Sequence, residues 1–369
     1  MHVLFVAPNF PANQRQFVRA LHAVGARVTG IGDVPPEYID RELRGWLNGY
    51  EHVHSLGDQD AVTEAVRRVQ RREWVDRLES TVEAHMNSTA AVREACGIPG
   101  LSVEQTTLCR DKYVMKQFLR SRGIPCARNA TVDSVEDAFG FIREVGYPVI
   151  LKPRDGAGAA GTYRIDSDER LRAVLAEVGI GTRRTFATME EFISGHEGFY
   201  DTLTVNGEVV FEAVSHYYPN VLDGMRNRWI SPYIITTNRI DAPGYDELKR
   251  MGRKVIREMK LGTTPTHMEW FFGEKGLSFS EIGARPPGVR FWDLYCWAND
   301  MDLYVDWANA IVHGRAHPRP SRQYSAGLIS LRPSQDGRIS GYSGLDTVQE
   351  RFGRWIGEVH LPAVGSRTA

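Results

Sequence analysis

The stretch Pro148-Val-Ile-Leu-Lys152-Pro-Arg-Asp-Gly156-Ala-Gly158-Ala-Ala-Gly161-Thr162-Tyr-Arg-Ile165 decides the fold. Pro148 to Lys152 is a short apolar run, which predicts a strand that ends on a lysine. A glycine-rich segment from Asp155 to Thr162 follows, and Tyr163 to Ile165 again has strand character. The spacing Gly156-x-Gly158-x-x-Gly161 matches the dinucleotide-binding fingerprint letter for letter, but in that fingerprint the last glycine opens a helix. Here the residues after Gly161 are β-branched and aromatic, so the loop is expected to join two strands. Gly156-x-x-x-x-Gly161 is also a near miss for the phosphate loop of nucleotide hydrolases, with Thr162 standing where the lysine must be. What survives is a glycine-rich hairpin beside Lys152. Glycines let backbone N–H groups approach phosphate oxygens, a hairpin can close as a lid, and Lys152 supplies a point charge. The plainer alternative is a flexible surface hairpin with a solvent-facing lysine.

On the amino-terminal side, Val3 to Ala7 and Val28 to Ile31 predict strands flanking a helix from Asn13 to Gly25, on which Phe17, Val18, Leu21 and Val24 share a face. This is the start of a doubly wound α/β lobe, and its first turn lacks the glycines of a dinucleotide site. Further helices are predicted over Ala61 to Glu73, Thr89 to Cys96 (stopped by Gly97 and Pro99), Cys109 to Gly123 and Ser134 to Val145, with a strand-like stretch over Trp74 to Ser80. On the carboxy-terminal side, a helix capped by Ser167 runs to about Val178. Strands are expected over Thr185 to Ile193 and Tyr200 to Val205, with Asn206-Gly207 as a hairpin turn. His216 to Arg239 reads as irregular. A helix over Tyr245 to Met259, strands around Glu269 and Glu281, helices over Trp292 to Trp297 and Leu303 to Val312, and a tail of short strands and turns complete the chain.

A second group of residues carries chemistry. His267-Met-Glu269-Trp-Phe-Phe and Ser280-Glu281-Ile-Gly283-Ala-Arg285-Pro-Pro-Gly288 flank the turn Gly273-Glu-Lys-Gly276, so the two segments are expected to pair and bring Glu269 and Glu281 together. Adjacent carboxylates raise each other's pKa unless a cation lies between them. Mg²⁺ suits one or two carboxylates completed by substrate phosphates, and Arg285 would reach the same phosphates. Two solvated glutamates near a turn are the plainer alternative.

The 369 residues carry 45 Lys+Arg against 46 Asp+Glu, a formal net charge of −1. That balance excludes a protein that holds nucleic acid by a global positive field, but not one that holds a small anion by a few local cations. The 42% hydrophobic and 25% charged fractions are those of a globular protein of two or three lobes. Cys96, Cys109, Cys126 and Cys296 are scattered, as reduced thiols are. Without a signal peptide or an apolar run of ~18 residues, a cytoplasmic protein with no membrane partner is expected.

In their order along the chain, these motifs resemble those of the ATP-grasp superfamily, in particular the carboxylate–amine ligases of its biotin-carboxylase-like and L-amino acid ligase-like branches. The resemblance runs from Met1 to about Gly314. It implies an α/β (α+β) ATP-grasp fold: a Rossmann-like lobe over 1–108, a lid subdomain with the glycine loop over 109–188, and a larger antiparallel-sheet subdomain over 189–369. It further implies ATP held by Lys112, Lys152, Gly156, Gly158, Gly161, Thr162, Glu190, Glu191, Ile193 and Glu197, with Glu190 and the backbone of Glu191 and Ile193 at the base and Glu197 at the ribose. Glu269 and Glu281 fall on metal-ligand positions for Mg²⁺, with Mn²⁺ as its substitute, and Lys152 and Arg285 on catalytic ones. Relatives often carry Asn where this chain has Gly283.

The implied reaction phosphorylates a small carboxylate with ATP and passes the acyl group to an amine. Its partners are thus small carboxylates and amines, and a homodimer is common among relatives. Tyr217, Arg226, Arg228, Trp229, His267 and Arg285 are the expected substrate contacts. For the aromatic tract an ordered loop packed on its own lobe has equal weight, and for His267 a hydrogen-bonded supporting role is preferred over that of a base. Two alternatives stand beside the ligase: an acyl-phosphate-forming or kinase-like enzyme with a non-amine acceptor, and a nucleotide-binding module that has lost catalysis.

Overall fold

Three of the four sheets among the described residues organise the computed structural model, which describes residues 1–154, 161–181, 187–288 and 290–368. The first is parallel and four-stranded, in the order Gly49–His52, Arg27–Gly32, His2–Val6, Arg77–Glu79. His2–Val6 is buried along its whole length, as expected of a parallel strand covered on both faces. The helix Gln14–Ala23 lays Phe17 against this sheet, and Phe17 meets Trp307 of the helix Leu303–His313 edge to face with ring centroids 5.0 Å apart. The first lobe and the carboxy-terminal helices therefore share one apolar core.

The second sheet is antiparallel, in the order Asn129–Val132, Ala187–Glu191, Val149–Pro153, Tyr163–Ile165. Val149–Pro153 pairs directly with Tyr163–Ile165, so the glycine loop joins two strands as its sequence predicts. Gly156 and Gly158 lie outside the described residues. The third sheet has six antiparallel strands, in the order Gly276–Gly283, Thr264–Gly273, His196–Val205, Glu208–Tyr218, Tyr233–Thr236, Ala326–Ile329. One of its turns is Asn206-Gly207, where φ values of +53° and +87° give the left-handed bend that the pair predicts.

Two expectations are corrected. Cys109 to Gly123 is not one helix but the end of Val103–Leu108 followed by Lys112–Arg120. The break falls at Asp111, which is extended and whose carboxylate accepts from the N–H groups of Tyr113 at 3.0 Å and Val114 at 3.1 Å. A residue that caps a new helix ends the old one. His216 to Arg239 is also not irregular throughout. Its aromatics extend Glu208–Tyr218 and build Tyr233–Thr236, paired in register as Tyr218 with Tyr233, with the short helix Val221–Arg226 between them. The expected strand from Thr185 to Ile193 is seen as Ala187–Glu191, its first residues falling outside the described ones. Among the described residues no helix is long and apolar enough to cross a membrane.

Asp111 also receives Arg154, whose Nε lies 3.2 Å from Oδ1, and Lys112 N–H donates to Arg154 O at 3.0 Å. The cap thus ties the start of the Lys112 helix to the end of the Lys152 strand. Asp111→Ala is expected to cost about 1–2 kcal/mol. An unfolding midpoint equal to that of the wild type in denaturant would contradict this.

Candidate active site

The charged side chains of the site hang from elements of two sheets and one helix. Alternation along His196–Val205 puts Glu197, Phe199 and Asp201 on one face of the large sheet. The ladder then pairs His267 with Asp201, Glu269 with Phe199 and Phe271 with Glu197. On the other side, Glu269 faces Glu281 directly, but only because the register shifts between Glu269 and Trp270. Trp270 pairs with Phe279 and Glu269 with Glu281, which leaves Ser280 as the extra residue of a bulge. Unbroken alternation would put Phe279 and Glu281 on the same face. The bulge sends Phe279 into the core and Glu281 to the acidic face.

Three lysines meet these acids. Lys112, 8% exposed, places Nζ 3.5 Å from Glu281 Oε2. Lys152 Nζ lies 2.9 Å from Glu190 Oε2, and Lys116 Nζ donates to the same oxygen at 2.5 Å. Burial works against charge in all three members of this triad. The two lysines nevertheless hold the Glu190 carboxyl down to about 2, and Glu190, Glu281 and Glu269 hold Lys152 above its ordinary value against its burial. Among the described residues, Glu190 Oε1 is a buried acceptor with no hydrogen-bond partner. Burial and the neighbouring Glu269 push Glu197 up to about 8.

The residues fit a divalent cation with phosphates. Among the described residues no group of three His, Cys, Asp or Glu side chains is arranged to hold a metal. Two facing carboxylates, hard oxygen donors in a crowd of negative charge, are what Mg²⁺ takes when phosphates complete its shell. The orphaned Glu190 oxygen suits an N–H donor from a bound base.

Arg285 turns toward the first lobe, where its Nε and the Nη1 of Arg110 both donate to Glu83. A Cβ on Gly283 would lie 3.4 Å from Arg285 Cγ and 3.5 Å from Glu83 Oε2, ordinary contact distances, so a side chain there would lie against this pair. His267 Nδ1 donates to Asp201 at 2.7 Å, Tyr295 OH donates to the other Asp201 oxygen, and His267 Nε2 stands 3.7 Å from Glu269. With both ring nitrogens facing carboxylates, His267 has the geometry of a support for Glu269.

Tyr217 belongs to the acidic face: its ring lies 5.0 Å from that of Phe199, and burial followed by Glu269 and Glu197 pushes its hydroxyl well above the ordinary range. Glu197 Oε2 accepts from Val221 N–H at 2.7 Å. Glu191 is paired outward with Lys275 at 2.8 Å and Arg128 at 3.2 Å, and its N–H is spent on Arg128 O. Half-buried Ile193 and Thr162 flank the lid sheet, and Gly161 adopts φ +69°. The remaining expected contacts separate. Arg226 donates to Arg164 O across to the lid strand at 3.0 Å, while Arg228 lies over the Trp229 ring and pairs with Asp336 at 2.6 Å on the surface.

Sequence reasoning missed Lys116, Asp201, Tyr295 and the role of Glu83. Lys116 had a signal, four residues after Lys112 and so on the same helix face. Asp201 had one too, a lone acid within a run expected to be a buried strand.

Residues 111–196 match the family described as carbamoyl-phosphate synthase L chain, ATP binding domain. The chain is 29% identical over 242 residues to the L-arginine-specific L-amino acid ligase of Bacillus subtilis, covering 62% of this chain and 58% of that one. It is 31% identical over 226 residues to D-alanine–D-alanine ligase B of Clostridium perfringens (strain 13 / Type A), covering 59% and 69%. The solved L-amino acid ligase of Bacillus licheniformis superposes with a TM-score of 0.74 at 17% identity, over 100% of this chain and 89% of that one. The chain spans about half to three fifths of the length of the first curated relatives it matches. With the fold, the order of the motifs and these likenesses together, the chain belongs to the ATP-grasp superfamily.

Proposed function

We propose that the protein is an ATP-dependent carboxylate–amine ligase. A carboxylate oxygen of a small acid attacks the γ-phosphorus of ATP, giving an acyl phosphate and ADP. An amine nitrogen, losing a proton, then bonds the acyl carbon, and inorganic phosphate leaves with the electrons of the broken C–O bond. The observation that carries this reading is the meeting of Lys112 and Lys152 with Glu269, Glu281 and Glu190 at one place. Cations there offset the repulsion between triphosphate and carboxylate, which is most of what phosphoryl transfer asks of a protein. Mg²⁺ (or Mn²⁺) on Glu269 and Glu281 would supply further charge neutralisation.

Within the same proposal, Glu190 Oε1 accepts from the amino group of the base and Glu197 meets the ribose. Gly156, Gly158, Gly161 and Thr162 close over the phosphates, and Arg285, released from Glu83, turns to the developing negative charge. The three-part division at 108/109 and 188/189 belongs to it as well, with the strand Ala187–Glu191 of the lid sheet running across the second boundary. So do a homodimer and a cytoplasmic location, the latter in keeping with four free cysteines.

The test is a screen of paired amino acids and small acids with ATP and Mg²⁺, reading nucleotide products and product mass. ADP and a condensed product, formed only when both substrates are present, are expected. ADP formed with the acid alone and no amide mass would favour a non-amine acceptor, and no ADP with any pair would favour a module without catalysis.

A further inference from the structure

A cavity of about 220 Å³ lies between the edge strand Arg77–Glu79, the helix Met86–Cys96 and the turn end of the large sheet. Asn206 and Thr264 line it, whereas Glu197 and Glu269 sit farther along the same strands. The five residue steps from Thr264 to Glu269 span roughly 17 Å of strand. It is thus a separate place from the lysine and glutamate cluster, although Met86 and Ala284 line both this cavity and the small cleft beside Arg285.

Its charged lining consists of Arg77, Arg93, Lys260 and Glu79. The Glu79 side chain is 14% exposed, and its nearest cation, Arg93 Nη2, stands 3.6 Å away, beyond hydrogen-bond reach. Arg93 cannot come closer without loss. Its Nε donates to Leu78 O at 2.7 Å and its Nη1 to Leu101 O at 3.2 Å. Among the described residues the Glu79 carboxylate accepts no hydrogen bond, and burial pushes it above the ordinary value against Arg93 and Arg77. A carboxylate so placed is costly until a donor reaches it. Three cations against one acid also leave the lining with an excess of positive charge, which favours a carboxylate. The two demands, an ammonium for Glu79 and a carboxylate for the cations, are met together by one small molecule class. The volume lies below the ~300–1,000 Å³ of sites for drug-sized ligands, and Gln105 and Asn206 add neutral polar contacts.

We propose that this cavity binds a free α-amino acid, with the ammonium on Glu79 and the carboxylate toward Arg77 and Lys260. The site does not depend on the nucleotide or on the ligase reaction.

The experiment is calorimetric titration of the full chain, without nucleotide or metal, with the twenty free amino acids and with the N-acetyl and carboxamide forms of any that bind. At least one free amino acid is expected to bind, and each blocked form to bind about tenfold more weakly or worse. Glu79→Gln is expected to weaken binding by a similar factor. Lys260 is exposed, so Lys260→Gln keeps the test alive if the Glu79 variant fails to fold, and it too should weaken binding several-fold. Lys152→Met, in the other cluster, should leave binding unchanged. Four results would each overturn the site: no amino acid binds, the N-acetyl form binds as well as the free one, neither cavity variant has an effect, or Lys152→Met abolishes binding. Failure of the ligase reading would leave these titrations untouched.

Discussion

Glu190→Gln is expected to destabilise the protein by about 3–5 kcal/mol, more than Lys116→Met. One carboxylate oxygen serves two buried lysines, with side-chain exposures of 2% for Lys116, 11% for Lys152 and 5% for Glu190 itself. Glutamine keeps the shape but leaves two ammonium groups facing each other without their anion. Lys116→Met does less harm: burial already lowers the Lys116 pKa, the methionine stem fills the same space, and Glu190 keeps Lys152 at 2.9 Å. The check is the unfolding midpoint of both variants side by side, and a Glu190→Gln midpoint at or above that of Lys116→Met would sink the argument. Acid adds an independent reading. The carboxyl is ordinarily near 4.5 and is held at about 2 when folded, so its contribution is full above 4.5 and is lost as pH falls from there toward 2. The wild type should lose its advantage over Glu190→Gln across that window.

Much of the fold was legible because its signals are local. The glycine loop betrayed its strand–loop–strand setting by the β-branched residues after Gly161, and Asn206-Gly207 announced a hairpin that the structure contains. What failed depended on partners far away in sequence. Nothing near Tyr233 says that it will lie against Tyr218 and then receive Ala326–Ile329 on its other side. Asn129–Val132 is four residues long and exists because Ala187–Glu191 pairs with it. The Asp111 break was readable in principle, since Asp before a helix is a cap signal, but the apolar spacing on both sides of it hid the interruption.

The candidate site divides in the same way. Residue types chosen for their chemistry, Lys112, Lys152, Glu269 and Glu281, do come together, because a hairpin and a strand end put them there. The means differed from the expectation, since plain alternation would have sent Glu281 to the wrong face and a one-residue bulge corrects it. Residues chosen for composition alone fared differently. Arg228 lies over the Trp229 ring and pairs with Asp336 on the surface, whereas Tyr217 packs among the acids. Lys116 and Glu83 escaped notice because their partners lie 74 and 202 residues away along the chain.

Lys152→Met is expected to lower ADP release by about 10²–10³-fold while leaving the protein folded. The two effects separate because of how Lys152 is held. For folding, Glu190 retains Lys116 at 2.5 Å, and methionine replaces most of the lysine stem, so the loss should be smaller than that of Glu190→Gln. For chemistry, Lys152 is the cation that answers to Glu190 on one side and to Glu281 and Glu269 on the other, against the desolvation of its own charge. In the proposed reaction that position lies between the base and the phosphates, where a fixed cation acts on charge that moves during transfer. Steady-state ADP release under saturating ATP and both substrates, with a melting curve on the same preparation, checks both halves. A turnover within about threefold of wild type would remove Lys152 from the chemistry. A melting point as low as that of Glu190→Gln would mean that the lysine serves the fold instead, as the second arm of the Glu190 triad.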